Sequence, residues 1–124
     1  MLLARDLTAR VIGLAIEVHR LTGPGMLESV YEGCLCHELE QVGIAFQRQA
    51  GIPVNYKGVE FDEGFRADIL VDRQMIIEVK AVAHIMPAHD AQVLTYLRMS
   101  GLRPGLLFNF HARLLKDGLR RYIV

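Results

Sequence analysis

The sequence lacks the features that mark several special classes of protein. No apolar run approaches the roughly 18 residues that cross a bilayer, and charged residues interrupt the N-terminal segment MLLARDLTARVIG, unlike a signal peptide. The only cysteines, Cys34 and Cys36, are two positions apart, and in a helix such residues point in different directions, so we expect free thiols. These absences predict a cytoplasmic protein with no membrane partner.

An excess of one charge is also lacking. Lysine plus arginine and aspartate plus glutamate number 14 each, and this balance argues against a protein that coats nucleic acid by bulk electrostatics. The charges are nevertheless unevenly placed, because residues 28–63 are mainly acidic and residues 97–124 are mainly basic. With 52% hydrophobic and 23% charged residues, the chain fits a single compact domain over residues 1–124.

Hydrophobic periodicity predicts helices at three places. Apolar residues recur at three- and four-residue steps over 6–21, and the segment TGPG then ends that helix. A second helix is expected from Gly25 or Met26 to about Val42, and a third from Pro87 to a stop at Gly101.

The segments between and after these helices have the composition of β-strands. Residues rich in β-branched and aromatic side chains predict strands at about 45–56, with a kink at Pro53, at 64–72 and at 75–82. The apolar stretch at 105–110 predicts a strand that returns to the sheet after the third helix, and GLRRYIV predicts a last edge strand. The sequence thus predicts a mixed α/β (α+β) sheet flanked by helices.

Charged residues interrupt the most apolar hairpin, GFRADILVDRQMIIEVKAV. Glu78 and Lys80 are two residues apart and share one face of their strand. A two-residue loop at Arg73 and Gln74 would place Asp68 on the opposite face, whereas a three-residue loop would place all three together. The absence of an Asn-Gly or Asp-Gly turn favours the longer loop.

Burying two carboxylates side by side is costly unless a cation joins them. Lys80 could neutralise one of them in a purely structural salt-bridge network, or a divalent metal could bind both and leave Lys80 free. The residues alone leave both possibilities open.

Asp68 followed by Glu78-Val79-Lys80 resembles the active-site signature of the PD-(D/E)XK nuclease superfamily. The segment GPGMLESVYEGCL further resembles the motif of the GxxExxY family within it, with Gly25, Glu28 and Tyr31 at the required spacing. The blocks FRADILVD, IIEVKAV and AQVLTYL are also similar, although Ala67 replaces the usual proline. This resemblance covers nearly the whole chain and implies a restriction-endonuclease-like core, in the order helix, helix, three-stranded meander, helix, strand.

The resemblance also implies a site and an activity. Asp68 and Glu78, with Glu28 as a further ligand or an outer contact, would bind Mg²⁺ or Mn²⁺, and Lys80 would position or activate the attacking water. The expected substrate contacts are Tyr31, Gln92, Tyr96, Arg66 and Arg98. The implied function is hydrolysis of phosphodiester bonds in nucleic acid, with DNA expected over RNA as the substrate. Separately from the resemblance, the small size of the domain predicts a two-fold homodimer to hold a duplex. The alternative is a module that keeps the nuclease fold and binds a protein or nucleic-acid partner without cutting it.

Overall fold

A computed structural model describes residues 4–124. Two helices, α1 (Ala4–Thr22) and α2 (Glu28–Gln41), precede three strands, β1 (Phe46–Tyr56), β2 (Val59–Val71) and β3 (Met75–Lys80). Helix α3 (Pro87–Ser100), strand β4 (Gly105–Asn109), a 3₁₀ turn (Leu115–Gly118) and strand β5 (Leu119–Tyr122) complete the chain. No helix within the described residues is long and apolar enough to cross a membrane.

The five strands form one sheet in the order β1-β2-β3-β4-β5. The β3–β4 pair is parallel and the other three pairs are antiparallel. Helix α3 connects the parallel strands, since such a pair needs a crossover. The mixed sheet flanked by helices, a helical crossover between parallel strands and β5 at one edge confirm the architecture expected from the sequence.

Each face of the sheet carries its own apolar core. Helices α1 and α2 cover one face, where Val11, Leu35 and Phe108 belong to the larger cluster. Helix α3 covers the other face, where Val93 and Leu97 pack with Leu107. Burial of these side chains on both faces fixes the positions of all three helices relative to the central strand β3.

The β1–β2 hairpin differs from the sequence prediction. We expected the second strand to begin at 64 because DEG at 62–64 resembles a turn, but β2 begins at Val59. The turn lies instead at Lys57 and Gly58, both with positive φ. Residues 62–64 form an irregularity within the strand, where the register shifts between Ile52 and Val54 around Pro53. The extra residues of a β-bulge can thus have the same composition as a turn.

The β2–β3 hairpin has the longer of the two loops considered. Val71 pairs with Met75, which leaves a three-residue loop of Asp72, Arg73 and Gln74. The register also pairs Ile69 with Ile77 and therefore aligns Asp68 with Glu78. The odd loop length brings the charged residues of β2 and β3 together.

Candidate active site

Asp68 and Glu78 form the centre of the candidate site, where β2 and β3 separate. The Glu78 carboxylate Oε2 accepts a hydrogen bond from the backbone N–H of Asp68 at 2.9 Å. The Asp68 carboxylate Oδ2 accepts one from the N–H of Val79 at 2.8 Å. Two side-chain bonds thus replace backbone bonds of the ladder, and they hold the two carboxylates beside each other between the strands.

Both carboxyl groups resist ionisation in this position. Burial, the nearby charge of Asp68 and a smaller contribution from Glu32 raise the pKa of Glu78 to about 7, although hydrogen bonding and Lys80 oppose them. Burial is also the main cause that raises the pKa of Asp68. Two adjacent, poorly solvated carboxylates are a site that a divalent cation would stabilise.

Lys80 follows Glu78 by two residues and is half-buried at the end of β3. Within residues 4–124, the ion pairs are Arg20–Glu17, Arg48–Glu32, Arg66–Glu63 and Arg120–Asp90, so Lys80 closes no salt bridge with Asp68 or Glu78. The salt-bridge network considered from the sequence is therefore not formed. The amine is nevertheless close enough for its charge to act on both carboxylates.

Glu28 lies in the first turn of α2, above the end of β3. Its carboxylate Oε2 accepts a hydrogen bond from the N–H of Ala81 at 2.9 Å. No group of three His, Cys, Asp or Glu side chains in the described part of the chain is placed to hold a metal ion. The Glu28 side chain is instead engaged by the backbone just beyond Lys80.

Glu32, one turn further along α2, also lies near the two carboxylates, although we did not expect it there from the sequence. It is only 6% exposed, and its charge contributes to the raised pKa values of Asp68 and Glu78. Arg48 Nε donates to its Oε2 at 2.6 Å, and Gln49 Nε2 donates to its Oε1 at 2.8 Å. Its four-residue spacing from Glu28, which puts both on one face of α2, is the signal that could have found it.

Comparison with known proteins gives a family match over almost the whole chain. The sequence profile described as the PD-(D/E)XK nuclease superfamily matches residues 5–122. The chain belongs to the PD-(D/E)XK nuclease superfamily. No curated protein and no solved structure matches it.

Divalent metals such as Mg²⁺ are general in PD-(D/E)XK nucleases, and the residues of this member fit such an ion. Asp68 and Glu78 supply hard oxygen ligands, and Mg²⁺ is commonly held by one or two carboxylates with several retained waters. Each carboxylate uses one oxygen, Oδ2 or Oε2, for a backbone N–H. Asp68 Oδ1 also accepts a longer hydrogen bond of 3.3 Å from Gln49 Nε2, which leaves a further lone pair on that oxygen. The pair can therefore take a cation without breaking the bonds that hold it in place.

Helix α3 places Tyr96 close to the acidic pair of Asp68 and Glu78. Burial and then the charge of Glu78 raise the pKa of Tyr96, with a smaller contribution from Asp68, while a hydrogen bond with Gln92 acts in the opposite sense. The ring of Tyr96 stacks on Phe65 of β2, with centroids 3.9 Å apart. Tyr96 therefore lies close enough to Glu78 and Asp68 for their charges to act on it, and Gln92 contacts Tyr96.

The other three expected substrate contacts, Tyr31, Arg66 and Arg98, differ in how far they are exposed to solvent. Tyr31 is fully buried, and its hydroxyl donates to the carbonyl of Gly23 at 2.6 Å. It therefore serves the turn before α2 rather than an open surface. Arg66 is exposed but bonds to the carbonyl of Gln49 and to Glu63. Arg98 is exposed in the last turn of α3.

Proposed function

We propose that the protein is a metal-dependent nuclease that hydrolyses phosphodiester bonds of nucleic acid. The observation that carries the proposal is the reciprocal bonding of Asp68 and Glu78 to the separated strands, which aligns two carboxylates within reach of the charge of Lys80. Two buried carboxylates side by side lower the stability of the folded protein, because the charge of Lys80 opposes their repulsion only in part, and a bound cation would offset this cost.

Each side chain has a distinct role in this proposal. Asp68 and Glu78 hold the cation, Mg²⁺ or Mn²⁺, which when bound polarises a phosphate oxygen and lowers the pKa of a coordinated water. Lys80 donates to the oxygen on which negative charge develops, since a fixed cation acts strongly in a poorly hydrated site. Tyr96 and Gln92 on α3 orient the nucleic acid at the edge of the carboxylate pair, and Arg66 and Arg98 contact its backbone.

We also propose membership of the GxxExxY family, because each motif residue has a separate physical task here. Gly25 has φ +114, a conformation that side chains with a Cβ rarely adopt. The Tyr31 hydroxyl accepts a hydrogen bond from the N–H of Met26 at 3.1 Å and so fixes the turn that contains Gly25. Glu28 then reaches the N–H of Ala81. Together these residues anchor the start of α2 to the end of β3, beside Lys80.

A cleavage assay with matched variants tests the activity. The purified protein is incubated with single- and double-stranded DNA and with RNA, in Mg²⁺, in Mn²⁺ or in EDTA. We expect metal-dependent cleavage, with DNA cut in preference to RNA, and its loss in Asp68→Asn and Lys80→Met. The controls Asp72→Asn and Lys57→Met change the same residue types at turns of the same sheet, and we expect them to retain activity. Cleavage that survives both site substitutions would refute the proposal.

The same samples test the alternative of a binding module. Wild-type protein that binds nucleic acid but leaves every substrate intact in both metals would favour binding without catalysis. We also propose a homodimer, because a domain this small needs a second copy to hold a duplex. Light scattering with and without DNA checks this.

A further inference from the structure

Gln49 occupies an unusual place in strand β1, opposite Asp68. The pairs Arg48 with Ile69 and Ala50 with Ala67 flank this position. The backbone of Gln49 has φ +52, in the left-handed region, although the residue lies within a strand and carries a Cβ. Such a conformation persists only where neighbouring contacts hold it, and conformations of this kind cluster at functional sites.

Both strands exchange faces at this pair of residues. In β1, Phe46 packs with the α1–α2 core, whereas Ala50 belongs to the α3 core. In β2, Ala67 belongs to the α3 core and Ile69 to the α1–α2 core. Residues two apart in a regular strand share a face, so the exchange requires a local rotation of the backbone. The left-handed conformation of Gln49 supplies that rotation beside Asp68.

The side chain of Gln49 connects two carboxylates. Its Nε2 lies 2.8 Å from Glu32 Oε1 and 3.3 Å from Asp68 Oδ1. Both neighbours are acceptors, so the NH₂ group rather than the amide oxygen must face them. The amide can therefore donate one hydrogen to each carboxylate and hold Asp68 against a fixed point on α2.

Glu32 is itself anchored. Arg48 donates to Glu32 at 2.6 Å and to the carbonyl of Ser29 at 2.8 Å, which fixes the carboxylate on α2. The carbonyl of Gln49 accepts a hydrogen bond from Arg66 at 2.7 Å, which supports the rotated peptide. The contacts thus form a chain from Arg48 through Glu32 and Gln49 to Asp68.

We propose that Gln49 is a positioning residue, whose amide fixes the Asp68 carboxylate in the orientation that faces Glu78. The inference rests on the proposed cation site. A neutral amide suits this task better than lysine or arginine, because it orients Asp68 without neutralising the charge that attracts the cation. Mutation of such an outer hydrogen-bond partner typically weakens metal affinity about 10- to 100-fold.

A glycine at position 49 allows the role of the side chain to be tested separately from the role of the backbone conformation. Glycine adopts positive φ readily, so Gln49→Gly keeps the exchange of faces and removes the side chain that carries the amide. Asparagine also tolerates this region, but its amide is one methylene shorter, so Gln49→Asn serves as a second variant. Gln47→Ala changes an exposed glutamine of the same strand and is the control. Urea unfolding checks that all variants fold.

Two measurements then decide the question. Calorimetric titration with Mn²⁺ is expected to show binding about tenfold or more weaker for Gln49→Gly and Gln49→Asn than for wild type and Gln47→Ala. Hydrogen exchange of the Val79 amide, measured without metal, reports on Asp68 directly because Asp68 Oδ2 accepts that N–H. We expect faster exchange in both Gln49 variants and no change in Gln47→Ala.

The outcomes separate this inference from the proposed function. Wild-type affinity and wild-type Val79 exchange in Gln49→Gly would overturn the role of Gln49 while leaving the cation site intact. If wild type itself binds no Mn²⁺, the cation site fails, and the Val79 amide alone decides whether Gln49 positions Asp68. Faster exchange in the variants would then support the positioning role, and unchanged exchange would refute it.

Discussion

Replacement of Glu78 by glutamine is expected to stabilise the metal-free protein at neutral and alkaline pH while removing cation binding. Glu78 is 3% exposed and lies beside Asp68, so its ionised form is disfavoured in the folded state. Glutamine has nearly the same shape, and its amide oxygen can still accept the hydrogen bond from the N–H of Asp68. The substitution therefore removes the charge and keeps the contact.

The size of the effect follows from the pKa of Glu78, which rises from 4.5 to about 7 on folding. Below pH 4.5 the carboxyl is protonated in both states and costs nothing. Between pH 4.5 and about 7 the unfolded chain releases the proton before the folded protein does, so stability falls as pH rises. The shift of about 2.5 units corresponds to about 3 kcal/mol at 1.36 kcal/mol per unit.

Urea unfolding in EDTA at pH values from 5 to 8 measures this difference. We expect Glu78→Gln to gain little over wild type at pH 5 and about 3 kcal/mol at pH 8. Glu40→Gln, an exposed carboxylate on α2, should follow the wild-type profile. Added Mn²⁺ should stabilise wild type and leave Glu78→Gln unchanged, because only a folded site with both carboxylates binds it. A constant difference between wild type and Glu78→Gln at all pH values would refute the reasoning.

Three further results are expected. Arg48→Ala should destabilise the protein by about 2 kcal/mol in urea unfolding, because the substitution leaves the buried Glu32 carboxylate without its cation. A change in the free energy of unfolding below about 0.5 kcal/mol would contradict this. Tyr31→Phe should lower the free energy of unfolding by about 1 kcal/mol, since the substitution removes the hydroxyl from the turn but keeps the ring that stacks on Phe110. An unchanged thermal-unfolding midpoint would contradict this expectation. Burial raises the pKa of the Cys36 thiol to about 11, so Cys36 should react with a thiol reagent more slowly than the half-buried Cys34. Mass spectrometry measures the two rates of modification, and equal rates would contradict this expectation.

Much of the fold was predictable because local patterns determine it. The helical period over 6–21 matched α1, and Pro87 and Gly101 marked the start and the cap of α3. The missing two-residue turn signal after Val71 favoured the odd loop that joins β2 to β3. Spacing two apart then required Glu78 and Lys80 to share a face.

Other parts depended on contacts that no local pattern contains. The DEG segment has the composition of a turn, yet β1 was long enough to pair beyond it, so the ladder absorbed those residues as an irregularity. Arg48 and Gln49 resemble ordinary exposed strand residues in the sequence. Only the approach of α2 brings Glu32 within hydrogen-bonding distance of both.

The sequence alone determined which chemical groups are present and which of them share a strand, because the two-residue repeat of a strand and the length of a loop are local properties. The tertiary structure decided how the acidic groups divide between the centre of the site and its surroundings. Asp68 and Glu78 meet between separated strands, Glu28 is held by the backbone of Ala81, and Glu32 enters through Gln49. Those assignments depend on how α2 packs on the sheet and on one left-handed residue in β1, and both are set by packing between distant segments of the chain.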